Sequence, residues 1–177
     1  MQSSLLVGWF ADIGLEDRPT VGGKGGSLGE LTRAGIAVPP GFVVKTSAFE
    51  RFIEALEADG PVRSEVEALD GADLEAVTRC SQALRGRLEA SPLPQALQAE
   101  ITAALAELCG SDPLAPVAIR SSATTEDAED ASFAGLQDTF LWVKGPEQAL
   151  RLIRTCWASL YSVESMTYRR KHGYPEA

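Results

Sequence analysis

The chain has 177 residues, of which 45% are hydrophobic and 23% are charged, and its formal net charge is −9. This length fits one domain or a large part of one, and the apolar fraction is sufficient for a buried core. The negative charge argues against binding of nucleic acid or of an acidic membrane, because both need a basic protein surface. A small anion is still an acceptable ligand, since a few local donors can hold it.

Location can be inferred from three negative features. The sequence has no apolar run of about 18 residues, so no membrane span is expected. Residues 1–6 lack the basic region and the long apolar block of a signal peptide. The three cysteines, Cys80, Cys109 and Cys156, have the spacing of neither a metal motif nor a disulfide framework. These features favour a cytoplasmic protein.

The first third of the chain predicts short elements around a glycine-rich segment. A short strand is expected near Trp9, followed by a glycine-rich loop over 21–27 that leads into a short helix stopped by Gly35. Residues 39–41 predict a turn and residues 42–44 a strand. A helix then follows a capping-box pattern of Ser47 and Glu50. Its apolar face at positions i, i+3, i+4 and i+7 comprises Phe49, Phe52, Ile53 and Leu56.

The remainder is predicted to be mainly helical. Helices are expected over 73–89, over 94–108 with Pro94 at the first helical position, and over 146–172 with a candidate break near Ser162. The leucine-rich stripe of the first comprises Leu74, Val77, Leu84 and Leu88. Two strands, 117–119 and 139–143, flank a polar segment. The fold class is therefore α+β, helix-rich, with more helix than strand.

Lys24 lies in the glycine-rich run 22–27. The run is not a Walker A loop, because Gly25 follows the lysine where serine or threonine is needed, and its glycines do not have dinucleotide-binding spacing. Glycines can nevertheless let the backbone approach an anion, and a helix start supplies free N–H groups. A flexible turn with a solvated lysine is the more frequent explanation of such a pattern.

Arg120 follows an apolar strand, a place where a charged residue is usually either paired or functional. Spacing alone leaves two hypotheses open: an anion site, or a salt bridge with Glu126 or Asp127. The hydroxyls that follow would donate to phosphate or cap turns; they belong to Ser121, Ser122, Thr124 and Thr125. The acidic residues 126–130 could ligate Mg²⁺, although an exposed acidic loop is the more common case. The sole histidine, His172, is expected to be a solvated helix-end residue.

Taken together, these segments resemble the N-terminal ATP-binding region that phosphoenolpyruvate synthase shares with pyruvate phosphate dikinase and rifampicin phosphotransferase. The resemblance spans most of the chain, in the family's order and spacing, and is carried by residues 21–30, 38–42, 118–127 and 131–141. Leu136, Trp142 and the pair Gly25-Gly26 depart from the residues common in the family, which indicates a divergent member.

The resemblance implies that residues 1–177 form the first part of an ATP-grasp nucleotide-binding domain, with a small, mainly antiparallel sheet and a truncated end. It implies that Lys24 and Arg120 contact the ATP phosphates and that Gly135 and Thr139 line the same site. Polar residues of the 120–130 segment are implied only as lid elements. No catalytic residue and no metal ligand is assigned inside the chain, and the Mg²⁺ ligands are expected beyond residue 177.

The implied reaction is a phosphotransfer with paired acceptors. ATP would phosphorylate a histidine on another domain. One phosphoryl group would then move from this histidine to pyruvate, while AMP and phosphate are released. This fragment alone is expected to be inactive. Two alternatives stay open: the same ATP-binding module in an enzyme with another small-molecule acceptor, such as rifampicin phosphotransferase, and a non-catalytic interaction module that keeps the fold.

Overall fold

The structure is a computed structural model, and it describes residues 6–71, 73–122 and 139–173. Within these ranges the chain is helix-rich with small antiparallel sheets, which confirms the α+β prediction. The helices are α1 (Arg18–Arg33), α2 (Thr46–Glu57), α3 (Arg63–Glu67), α4 (Leu74–Ala90), α5 (Gln95–Cys109), α6 (Gly145–Ser159) and α7 (Val163–His172). The strands are β1 (Val7–Trp9), β2 (Phe42–Val44), β3 (Val117–Arg120) and β4 (Thr139–Val143).

The strands form two separate antiparallel ribbons. In the first, β1 pairs with β2, and Trp9 lies opposite Phe42 with their rings in an edge-on contact. In the second, β3 pairs with β4, and Arg120 lies opposite Thr139. None of the helices in the described part of the chain is long and apolar enough to cross a membrane.

The core consists of a large helical cluster and a smaller one beneath the second ribbon. The predicted apolar face of α2 is confirmed, since all four of its residues are buried, and Phe49 and Phe52 pack against Trp157 of α6. The smaller cluster joins β3 and β4 to α5 and α6 through Leu105, Val143, Ala149 and Leu152. Fully burying a large apolar side chain contributes roughly 1.5–3 kcal/mol, so this cluster fixes the ribbon on the helices.

The predicted loop over 21–27 is wrong, because helix α1 runs through the glycines with a bend at Gly22. Glycine is a poor helix former by about 1 kcal/mol relative to alanine, yet here it allows close packing. A Cβ on Gly29 would lie 2.4 Å from the carbonyl oxygen of Ile13, and one on Gly25 would lie 3.0 Å from a methyl of Val43. Tertiary contact therefore outweighs the intrinsic preference of these residues for a loop.

Other differences concern helix ends. Helix α2 begins at Thr46 with Lys45 as its N-cap and no side-chain cap, so the capping box of Ser47 and Glu50 is wrong. Pro94 is the N-cap of α5 and not its first helical residue. Leu74 is 65% exposed, because it begins α4 and lies outside the buried stripe of Val77, Leu84 and Leu88.

The last helical segment divides as predicted. Ser162 caps α7 by accepting a hydrogen bond from the backbone N–H of Ser165.

The short helix α3 was not predicted from the sequence, since five residues are too few for a periodic apolar pattern.

Strand β4 carries one extra residue relative to β3. Val117 pairs with Val143 and Ile119 with Phe140, so one residue of β3 faces two of β4, Leu141 and Trp142. Phe140 and Val143 both pack into the smaller cluster, which leaves Leu141 64% and Trp142 75% exposed. Trp142 has a φ of 58°, in the left-handed region that suits glycine or asparagine better than a bulky residue.

We expect Trp142→Asn to stabilise the chain by about 1 kcal/mol, because asparagine tolerates the left-handed conformation and little packing is lost. Urea unfolding of the two variants measures this. Leu141→Asn is the matched control, since Leu141 is also largely exposed but has no positive φ, and we expect no gain from it. A loss of stability in Trp142→Asn would show that the indole makes a contact that its exposure does not reveal.

Candidate functional site

The bend in α1 creates a second helix start inside the glycine-rich run. Gly22 has φ 74° and ψ 170°, a conformation that is strained for any residue with a Cβ. Beyond it the chain is helical again, so the turn that contains Lys24 has first-turn amide groups that cannot all find partners within the helix. Lys24 is half-buried in this turn.

The two segments that the sequence singled out are in direct contact. The backbone N–H of Gly25 donates to Ser122 Oγ at 3.0 Å, and Ser122 Oγ–H donates to the carbonyl oxygen of Val21, also at 3.0 Å. A Cβ on Gly22 would lie 2.3 Å from the carbonyl oxygen of Ser122. These contacts bring the turn that carries Lys24 against the end of the strand that carries Arg120.

Arg120 and Thr139 meet where the second ribbon ends. They are register partners, and both are exposed, while Ile119 beside them packs into the core. Within 6–71, 73–122 and 139–173, no carboxylate forms an ion pair with Arg120. The proposed salt-bridge partners Glu126 and Asp127 lie outside the described residues.

The two serines after Arg120 differ in their hydrogen bonding. The single proton of Ser122 is committed to Val21, so this hydroxyl is neither a turn cap nor a donor to a ligand while the contact holds. Ser121 Oγ is buried and finds no hydrogen-bond partner in the described part of the chain. An unsatisfied buried hydroxyl costs free energy unless a polar ligand pairs with it.

Residues 18–177 match the family described as pyruvate phosphate dikinase, AMP/ATP-binding domain. The chain belongs to this family. The matched range begins at the first residue of α1, and it includes the contact between Ser122 and the glycine-rich turn.

Relatives in this family include synthases and an antibiotic-modifying enzyme. The chain is 38% identical over 175 residues to a probable phosphoenolpyruvate synthase of Methanocaldococcus jannaschii, covering 97% of this chain and 15% of the relative. It is 42% identical over 172 residues to rifampicin phosphotransferase of a Streptomyces species, covering 97% and 20%. It is 39% identical over 179 residues to phosphoenolpyruvate synthase of Escherichia coli, covering 97% and 22%. The chain thus spans between 15% and 22% of the length of these relatives.

Several predicted site residues of this family member cannot be placed. Gly135, Thr124, Thr125 and the acidic residues 126–130 lie outside the described residues. The described residues form no group of three or more histidine, cysteine or acidic side chains that could hold a metal ion. His172 is the last residue of α7, and its ring lies 4.3 Å from that of Tyr168.

An ion-pair network braces the far end of α1. Arg33 contacts Glu16 at 2.8 Å and Glu30 at 2.9 Å. The hydrogen bond from Arg33 is the main reason that the pKa of Glu16 lies below its ordinary value. All three side chains are partly or largely solvent-exposed, so the network contributes little to the free energy of folding.

Sequence reasoning missed the contact made by Ser122. A serine shortly after the end of a strand commonly caps a turn. The partners of Ser122 lie 97 and 101 residues earlier in the sequence. Nothing local in the sequence distinguishes these cases. The available signal was the need for a positive φ in the glycine run, which implies a bend that some other group must support.

The contact predicts unequal costs for alanine substitutions at two glycines that have the same φ. Gly22 and Gly35 both have a φ of 74°, but a Cβ on Gly35 meets nothing within 4 Å. We expect Gly35→Ala to cost about 1 kcal/mol from strain alone, and Gly22→Ala about 3 kcal/mol, because the Ser122 backbone must also move. Urea denaturation of both variants measures the difference. Equal costs would mean that the β3 end does not press on Gly22.

Proposed function

We propose that this chain is the ATP-binding portion of a dikinase-type phosphotransferase and forms the first part of an ATP-grasp domain. In the proposed reaction, ATP gives its β- and γ-phosphoryl groups together to a histidine elsewhere in the polypeptide, which releases AMP. Water then takes the terminal group as phosphate, and a small-molecule acceptor receives the phosphoryl group that stays on the histidine. The observation that carries this proposal is the contact between the Lys24 turn and the Arg120 strand end, in a chain of an AMP/ATP-binding family.

The described residues fit a polyphosphate. Lys24 and Arg120 supply two cations on segments that touch, and the helix restart beyond Gly22 adds backbone N–H groups and a partial positive charge. Ser121 offers a buried hydroxyl that has no partner among the described residues, and Thr139 offers a hydroxyl opposite Arg120. These donors would bind the phosphate oxygens and neutralise charge as it redistributes during transfer. Gly135 joins this set on the family resemblance alone.

Magnesium does not fit the described residues, because they contain no suitable group of ligands. No metal ligand is therefore proposed among these residues. The Mg²⁺ ligands and the phosphorylated histidine are proposed to lie in other parts of the polypeptide. A cytoplasmic location belongs to the same proposal and is supported by the three cysteines, which are free thiols.

The acceptor side of the proposal has two forms. The synthase relatives support pyruvate, with water as the paired acceptor, whereas the 42% identity to rifampicin phosphotransferase supports an antibiotic acceptor. Both forms use the same ATP-binding module. A non-catalytic interaction module is less well supported, because it would have no need to keep Lys24 and Arg120 on touching segments.

Substitution of the two cations tests the proposed ATP site. In the full polypeptide that contains this chain, we expect Lys24→Ala and Arg120→Ala each to reduce ATP-dependent AMP formation by about 100-fold or more, since they remove preorganised charge from the phosphates. Arg79→Ala and Lys171→Ala are the controls, because both side chains are exposed on other helices, α4 and α7. Unchanged AMP formation in the first pair would refute the assigned roles.

The isolated 177-residue chain is expected to produce no AMP from ATP at ordinary enzyme rates. The reason is that the phosphoryl-accepting histidine and the metal ligands are proposed to lie elsewhere. A chromatographic assay of AMP over several hours measures this. Sustained AMP production by the purified chain would contradict the proposal that this portion only binds the nucleotide.

A further inference from the structure

The hydroxyl of Ser122 occupies the place of a missing helical hydrogen bond. In an uninterrupted helix the N–H of Gly25 would donate to the carbonyl oxygen of Val21, four residues earlier. The bend at Gly22 breaks that bond, and Ser122 Oγ lies between the two groups, accepting from Gly25 and donating to Val21 at 3.0 Å each. A side chain inserted in this way is a recognised cause of a sharp helix bend.

The inserted hydroxyl satisfies both backbone groups while the helix stays bent. Without it, the Gly25 N–H and the Val21 carbonyl would lose their partner in the bent helix, and only water in a tightly packed place could replace it. The packing is tight because a Cβ on Gly22 would lie 2.4 Å from Ser122 Oγ itself. The bend and the orientation of the Lys24 turn therefore depend on a group two residues beyond Arg120.

We propose that Ser122 is a positioning residue that fixes the Lys24 turn relative to Arg120, so that both cations meet the same ligand. Ser122 does this through its single hydroxyl, without touching the ligand. The effect on nucleotide binding rests on the proposed function, whereas the effect on the helix bend does not. Two measurements separate these parts.

Amide hydrogen exchange of this chain tests the structural part. We expect Ser122→Ala to reduce protection of the Gly25 amide by about 5-fold, as loss of one net hydrogen bond implies. Protection of Ile101, a buried residue of α5, should stay unchanged and so exclude global unfolding. Ser121→Ala is the matched control, since the neighbouring hydroxyl has no hydrogen-bond partner in the described ranges. Unchanged protection of Gly25 in Ser122→Ala would overturn the proposal.

If Ser122→Ala fails to fold, Ser122→Thr carries the same test, because it keeps the hydroxyl and should retain the protection of Gly25. Loss of that protection in a folded Ser122→Thr variant would mean that the hydroxyl is not what holds the bend.

Titration of the full polypeptide with ATP tests the functional part. We expect Ser122→Ala to weaken ATP binding about 10-fold, and the double variant with Lys24→Ala to bind no more weakly than Lys24→Ala alone, because Ser122 acts through that turn. Thr78→Ala is the control, since its hydroxyl bonds only to Leu74 within α4. Additive losses would overturn the positioning role and leave Ser122 a purely structural residue. If Lys24→Ala itself binds ATP normally, the proposed function of Lys24 fails, and the exchange result still decides the bend.

Discussion

The break in the hydrogen bond between Val21 and Gly25 is the constraint on which the rest of the candidate site depends. A helix of sixteen residues that carries five glycines, most of them in its first half, has little intrinsic stability, and a bend at its fifth residue leaves backbone groups to be satisfied. Ser122, about a hundred residues later in the sequence, forms hydrogen bonds with two of these groups, the Gly25 N–H and the Val21 carbonyl. The same contact holds the β3–β4 ribbon beside the glycine run, so helix geometry and the juxtaposition of the two cation-bearing segments have one cause.

The glycine run allows close packing of α1. Gly25 lets the helix lie against β2, where a Cβ would be tightly crowded, and Gly29 lets it lie against the backbone at Ile13, where a Cβ would collide. The bent helix is thus held on one side by the first ribbon and on the other by the second. The proposed anion site is compatible with a net charge of −9, because backbone N–H groups and two cations would determine the local potential there.

Periodic apolar patterns predicted most of the helices and strands, since the burial of one face determines such a pattern. The buried face of α2, the strands at 42–44 and 139–143, and the break at Ser162 all follow from local spacing. The path of α1 could not be predicted in this way, because glycine propensity favours a loop and only contacts with distant residues reverse it. The bulge at Trp142 could not be predicted from the sequence either. The positive φ of this residue results from the strand register and not from the intrinsic preference of tryptophan. For the site, the sequence and the family resemblance supplied the candidates Lys24, Arg120 and Thr139. The role proposed for Ser122 follows only from its hydrogen bonds in the folded chain.

Membership of an AMP/ATP-binding family indicates the ligand class. The hydrogen bonds of Ser122 to Gly25 and Val21, which lie 97 and 101 residues earlier, show how the two segments meet. The central claim is that the Lys24 turn and the end of β3 form one phosphate-binding surface. A crystal structure of the full polypeptide with a non-hydrolysable ATP analogue tests this claim most directly. We expect phosphate oxygens within hydrogen-bonding distance of both Lys24 Nζ and the Arg120 guanidinium, with Ser122 Oγ still between Gly25 and Val21. A triphosphate that contacts neither cation would contradict it.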